Sequence, residues 1–320
     1  MVASVWDPSR VTDLMDGLRF ACAQVAGRAR YVRIEPDRTS SYVGTLPIDL
    51  PEGGPDPETH LTKGTREELA AFWLTLDAIN FGSGWFPTLR KPQGRSGYLT
   101  IAGGVRNRFA SQGPWTATQL AEIDAPAVAA TLNQDPDHEL MALFAHSLND
   151  LGRHVAAEYA GHFAGVVDAA GSSAVALVDL LRPWASFADV SNYDGVDVPV
   201  PFLKRAQIAA ADLARAGVAA FRDLDRLTIF ADNLVPHVLR LDGLLTYDPE
   251  LVERIERGEL IEHGSPEEVE IRACAVHTVA LIAAERAGAI EADIDSVLWH
   301  RGQEERYKAV PRHRSRCTAY

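Results

Sequence analysis

The chain has 320 residues, 47% of them hydrophobic, enough to bury one large core or two fused lobes. A net charge of −13 opposes broad electrostatic binding to duplex DNA or whole tRNA, so no stable nucleic-acid partner is expected. The well-separated Cys22, Cys274 and Cys317 fit neither a zinc pattern nor a disulfide framework. No apolar run is long enough to span a bilayer, and the N-terminus lacks the basic and apolar regions of a signal peptide. These features lead us to expect a reduced, cytoplasmic protein with no membrane partner.

Taken in chain order, the apolar period is mostly helical. "DPSRVTDLMDGLRFACAQVAG" predicts a helix with Asp7 as cap and Pro8 in the first position. "RYVRI" has the pattern of a short strand. "DLPEGGPDPET" is a Pro/Gly-rich loop that separates an N-terminal segment, residues 1–60, from the main body. Thr65 with Glu68, and Thr116 with Gln119, have capping-box spacing. Longer helical patterns follow near 138–160, 172–182, 201–216, 249–257 and 267–288, rich in alanine. "DVSNYDGVDVPV" predicts a hairpin around Asp194-Gly195. The expected fold is mostly α, two helical lobes with a small β-hairpin and a cleft between the lobes within residues 61–320.

Several stretches carry chemistry. His138, His146, His154 and His162 recur every eight residues, which turns each about 80° from the last, so they do not share a helix face. Glu268 and Arg272 have the i,i+4 spacing of a helix ion pair. "DAINFGSGWFP" ends a helix at Asn80 and Phe81 and turns through Gly82 and Gly84 to Trp85 and Phe86. An amide and aromatic faces on a glycine turn suit a flat heterocycle, although a helix end plugged by core aromatics fits the same residues. Lys204 lies at the head of an otherwise apolar helix, with Pro201 suited to its start. In "LTIFADNLVPHVLRLDGLL", Asp232 is one carboxylate in apolar company, just ahead of a helix entered at Pro236. Such an acid is either a helix cap or an anion kept for chemistry at a cationic centre. From Arg301 to Tyr320, six cationic residues face two acidic ones, the composition of a solvated tail or a small-anion site.

Taken together, "INF" at 79–81, "KRAQI" at 204–208, "TIFADNLVPHVL" at 228–239, "EEVEIRAC" at 267–274 and "VPRHRSRCTAY" at 310–320 resemble the queuosine salvage proteins, queuosine 5′-phosphate N-glycosylases (hydrolases). The resemblance covers roughly residues 60–320 and is strongest from Asp189 onward. It departs from the family pattern at Leu203, where an aromatic is usual, and at Asn233 and Leu234, where Tyr-Arg is frequent. The family resemblance implies a helical fold similar to DNA base-excision glycosylases, and release of queuine from queuosine 5′-phosphate for reuse in tRNA modification. It also implies Asp232 and Lys204 as the catalytic residues. On this basis Asn80, Phe81 and Trp85 are expected to hold the base. His313, Arg314 and Arg316 are expected, from charge, to hold the phosphate. No metal or organic cofactor is indicated. A non-catalytic queuine-binding protein, or a glycosylase acting on another modified nucleotide or on a polymer, is the alternative.

Overall fold

Many of the described helix starts carry a side-chain cap. The computed structural model describes residues 13–47 and 55–320, so the expected cap at Asp7 and Pro8 lies outside the described residues. Within them the first helix, α1 (Leu14–Ala26), is capped by Asp13, whose Oδ1 accepts the Asp16 N–H. Next come β1 (Val32–Ile34), α2 (Thr39–Val43) and α3 (Arg66–Ala78). The chain continues through α4 (Gly97–Gln112), α5 (Ala117–Glu122), α6 (Ala125–Leu132), α7 (Glu139–Glu158), α8 (Phe163–Ala169) and α9 (Ala174–Leu181). Both predicted capping boxes form, Thr65 with Glu68 on α3 and Thr116 with Gln119 on α5.

The second half holds the short strands β2 (Val190–Ser191) and β3 (Val200–Pro201), then α10 (Lys204–Arg215), α11 (Val235–Leu241) and β4 (Leu245–Tyr247). It closes with α12 (Pro249–Glu256), α13 (Pro266–Ala284), α14 (Glu291–Arg301) and α15 (Glu305–Lys308). The protein is thus mostly helical, as expected, with two small antiparallel sheets instead of one hairpin. β2 pairs with β3 across the loop that contains Asp194 and Gly195, and Gly195 takes the positive φ of 78° that this turn requires. β1 pairs with β4, a strand that the sequence pattern did not reveal. Pro201 does not start a helix. It pairs with Val190 in β3, the chain reverses through Leu203 at φ 52°, and α10 begins at Lys204. No single helix among the described residues is long and apolar enough to cross a membrane.

α13 is the central rod, packed on α1, α2, β1, α11 and α14. Its two sides carry buried charge with different tasks. Glu270 accepts the N–H groups of Arg30, Tyr31 and Val32 and the Tyr193 hydroxyl, and so anchors β1 and the β2–β3 loop. On another side Arg272 makes a bidentate pair with Asp189 at 2.6 and 3.0 Å and lies 3.4 Å from Glu268, with all three side chains fully buried. Its Nε donates to the Ala231 carbonyl at 2.9 Å, and its guanidinium lies over the rings of Phe202 and Tyr320 at 4.0 and 4.6 Å. Burial opposes every charge here. For Glu268 that penalty is outweighed by Arg272 and by His263, and its pKa falls from 4.5 to about 2.

Arg272→Met strands Asp189 as a buried unpaired charge and leaves Glu268 only His263 as an ion-pair partner, and we expect it to cost about 3–5 kcal/mol in urea melts at neutral pH. Because Glu268 titrates lower in the folded than in the unfolded protein, its contribution to stability is present above pH 4.5 and is lost as pH falls towards about 2. In Glu268→Gln the melting temperature should therefore fall less steeply across that window than in the wild type.

Candidate active site

Residues of α3, α4, α10, α11, α14 and α15, the loops that join them and the C-terminal tail meet around a cavity of about 770 Å³. Of the residues expected from sequence, Asp232, Lys204, Asn80, Phe81 and Arg314 line it. Trp85, His313 and Arg316 do not.

Asp232 sits where the apolar run 227–231 turns into α11. Its Oδ1 accepts the N–H groups of Leu234 and Val235 at 2.7 and 3.1 Å, at the electropositive start of the helix. Oδ2 has no hydrogen-bond partner among the described residues, on a side chain that lines the cavity. Cap and reactive anion are therefore not rival readings of Asp232: one oxygen caps, and the other is left to the cavity. Pro236 costs nothing at this place, because it lies in the first turn, where its N–H is not needed.

Lys204 is the first residue of α10 and is 5% exposed. Its own N–H donates to Asp189 Oδ2 at 3.0 Å, so the Asp189–Arg272 pair also caps α10. Nζ donates to the Asn80 carbonyl at 2.8 Å and to Asn80 Oδ1 at 3.2 Å. Burial lowers the Lys204 pKa, and the Asp232 charge resists that change. A lysine normally gains nothing at a helix start. Here it is held between the Asn80 oxygens and the field of Asp232.

The aromatic wall comprises Phe81, Trp73, Phe86, Tyr98, Phe230 and Trp299. Trp85 stays out because the 82–85 turn is wedged against the C-terminal tail. The Gly82 N–H donates to the Tyr320 carbonyl at 3.0 Å, and a Cβ at Gly84 would lie 2.4 Å from the Ser315 carbonyl oxygen. The indole is buried, donates from Nε1 to Glu139 at 2.7 Å and lies under the Arg316 guanidinium. Arg316 itself is 3.5 Å from Glu139, on the outside of the turn.

The tail alternates. Arg312 and Arg314 are half-buried and line the cavity, whereas His313, Ser315 and Cys317 are buried in the core behind them. The His313 carbonyl accepts from Asn233 Nδ2, and burial lowers its imidazole pKa to about 3, so it is neutral at physiological pH. Neither arginine has an ion-pair partner among the described residues. With Lys308 they make the tail's cationic part of the wall, which Lys91, Lys204 and Arg215 also line. Of the tail residues expected from sequence, His313 is turned into the core by the alternation of an extended chain, and Arg316, in phase with Arg314, is drawn to Trp85 and Glu139.

Three acids on the wall escaped sequence reasoning, Asp56, Asp212 and Asp295. Asp295 lies on α14 among Glu291, Ile294 and Leu298, the buried stripe of that helix. A carboxylate inside an apolar stripe at helical spacing was the available signal, the same one that marks Asp232. The regularly spaced histidines disperse as their rotation predicts: His138 caps α7 and His154 stacks on Trp184 at 4.4 Å.

The family model described as queuosine salvage protein matches residues 59–320. A Sphaerobacter thermophilus protein named queuosine 5′-phosphate N-glycosylase/hydrolase is 39% identical over 276 residues, which cover 82% of this chain and 84% of that protein. A Bos taurus protein of the same name is 32% identical over 248 residues, 70% of this chain and 72% of the relative. One from Dictyostelium discoideum is 30% identical over 269 residues, 81% and 80% of the two chains. The chain belongs to the queuosine salvage protein family.

Proposed function

We propose that this protein hydrolyses the N-glycosidic bond of queuosine 5′-phosphate, releasing queuine and ribose 5-phosphate. The observation that carries this reading is Asp232 Oδ2, which has no hydrogen-bond partner among the described residues, on a cavity with aromatic walls and two arginines that have no ion-pair partner among those residues. N-glycosidic bonds break through an oxocarbenium-like state, with positive charge spread over C1′ and the ring oxygen. Asp232 opposes that charge and directs water to C1′. The N–H groups at the start of α11 hold one oxygen without consuming the second. Lys204 contributes field and position, and its grip on Asn80 orients that amide towards the base. Phe81 and its aromatic neighbours provide the stacking faces. Arg312, Arg314 and Lys308 receive the 5′-phosphate, in place of the His313 and Arg316 expected from charge alone.

The acidic surface of the whole chain does not suit a polyanion, and the cationic groups at the cavity are few enough for one phosphate monoester.

Incubation of the protein with queuosine 5′-phosphate, and separately with queuosine, should release free queuine measurable by mass spectrometry, faster from the phosphate form. A melting-temperature shift with intact nucleotide and no free base after long incubation would instead make it a binding protein. Asp232→Asn keeps an oxygen for the Leu234 and Val235 N–H groups, so it should fold normally yet lose about 10²–10³-fold or more in kcat. Arg312→Ala combined with Arg314→Ala should raise KM for the phosphate form and leave the slower turnover of the nucleoside nearly unchanged. Equal losses on both substrates would remove the phosphate assignment.

A further inference from the structure

Asp295 is the buried acid at the cavity that the reading above does not use. It is 4% exposed and projects from the apolar face of α14. Oδ1 accepts the Phe230 N–H at 2.8 Å, two residues before Asp232. Oδ2 has no hydrogen-bond partner among the described residues, and the side chain lines the same cavity as Asp232. Two carboxyls with a spare oxygen each therefore flank one space, held in register by a single backbone amide. Two anions so placed repel, and one of them favours the protonated form.

The reaction has work for a protonated acid. The departing base takes the electron pair of the C1′–N bond. In 7-deazaguanine the position that a guanine glycosylase would protonate, N7, is carbon. The charge must be met by a proton delivered elsewhere on the base. We infer that Asp295 is the general acid of this site, donating its proton to the departing base while Asp232 accepts one from the attacking water. This inference rests on the glycosidase reading and adds a second catalytic residue to it. The balance is complete: the water oxygen joins C1′, the C1′–N pair goes to the base with the Asp295 proton, and the water proton goes to Asp232. One proton then returns from Asp232 to Asp295 through solvent.

The surroundings of Asp295 are consistent with that role. Burial, then the Asp232 charge, raise its pKa to about 7, while the Phe230 N–H, Arg215 and Lys204 pull the other way. The charged groups that face it are thus Asp232 ahead of α11, Lys204 and Arg215 on α10, and Asp212 across the cavity. An acid must be protonated to act, so kcat for queuosine 5′-phosphate should fall as pH rises through about 7.

The test compares two leaving groups: queuine, and p-nitrophenolate from p-nitrophenyl ribofuranoside 5-phosphate, which departs without a proton. Asp295→Asn retains an acceptor for the Phe230 N–H. It should lose about 10²–10⁴-fold in kcat on queuosine 5′-phosphate and remain within about tenfold of wild type on the nitrophenyl substrate. In the wild-type protein the high-pH fall should be seen with the first substrate and be absent with the second, a readout that depends on no variant. Equal loss on both substrates, undiminished release of queuine by Asp295→Asn, or the same high-pH fall for both leaving groups would overturn the assignment. Absence of queuine from the wild-type protein would be a different failure: it would remove the reaction, and the general acid with it.

Discussion

The buried pair of Arg272 and Asp189 is the constraint on which the site depends. Taken alone such a pair is a poor source of stability, because desolvating two charges costs about as much as their attraction returns. Its value here lies in what each spare hydrogen-bonding group holds. Asp189 Oδ2 accepts the Lys204 N–H and so fixes the start of α10, while Arg272 Nε takes the carbonyl of Ala231, the residue before Asp232. The guanidinium faces are covered by Phe202, just ahead of Lys204, and by Tyr320, the last residue of the chain. Segments far apart in sequence are thereby registered to one cation on α13.

Charge of both signs lines the cavity. Asp212, Asp232 and Asp295 supply carboxyls from three elements with Lys204 and Arg215 among them, and Arg312, Arg314 and Lys308 supply further cations from the tail. A ligand with a phosphate at one end and a site of developing positive charge elsewhere can be oriented by such a field before any close contact forms. The protein surface as a whole is acidic, so this cationic patch is local.

Asp232 illustrates how one residue meets structural and chemical demands together. A buried carboxylate with both oxygens satisfied would be a cap and nothing more, and one with neither satisfied would favour protonation. Two backbone N–H groups on Oδ1 give the anion support, and Oδ2 remains available. Asp295 has the same division of labour, one oxygen on the Phe230 N–H and one left over, but without a helix terminus to favour its charge.

Much of this was legible in the sequence. The capping boxes at Thr65 and Thr116, the i,i+4 pair of Glu268 and Arg272, the helical character and the isolated carboxylate at 232 rest on local chemistry, and each has the predicted form in the fold. The family blocks likewise lie in contiguous residues, each readable by itself. What the sequence left open was direction. Whether Trp85 or Phe81 faces the cavity depends on a glycine turn meeting the tail carbonyl of Ser315. Which tail residues reach it depends on the phase of an extended strand of chain, and that phase is set by packing against Asn233 and Tyr320. Asp295 joins Asp232 only because α14 docks beside α11. Local spacing determines which groups exist and what helices carry them. Only the tertiary structure decides which of them share a space, because burial and register are properties of the neighbours and not of the residue.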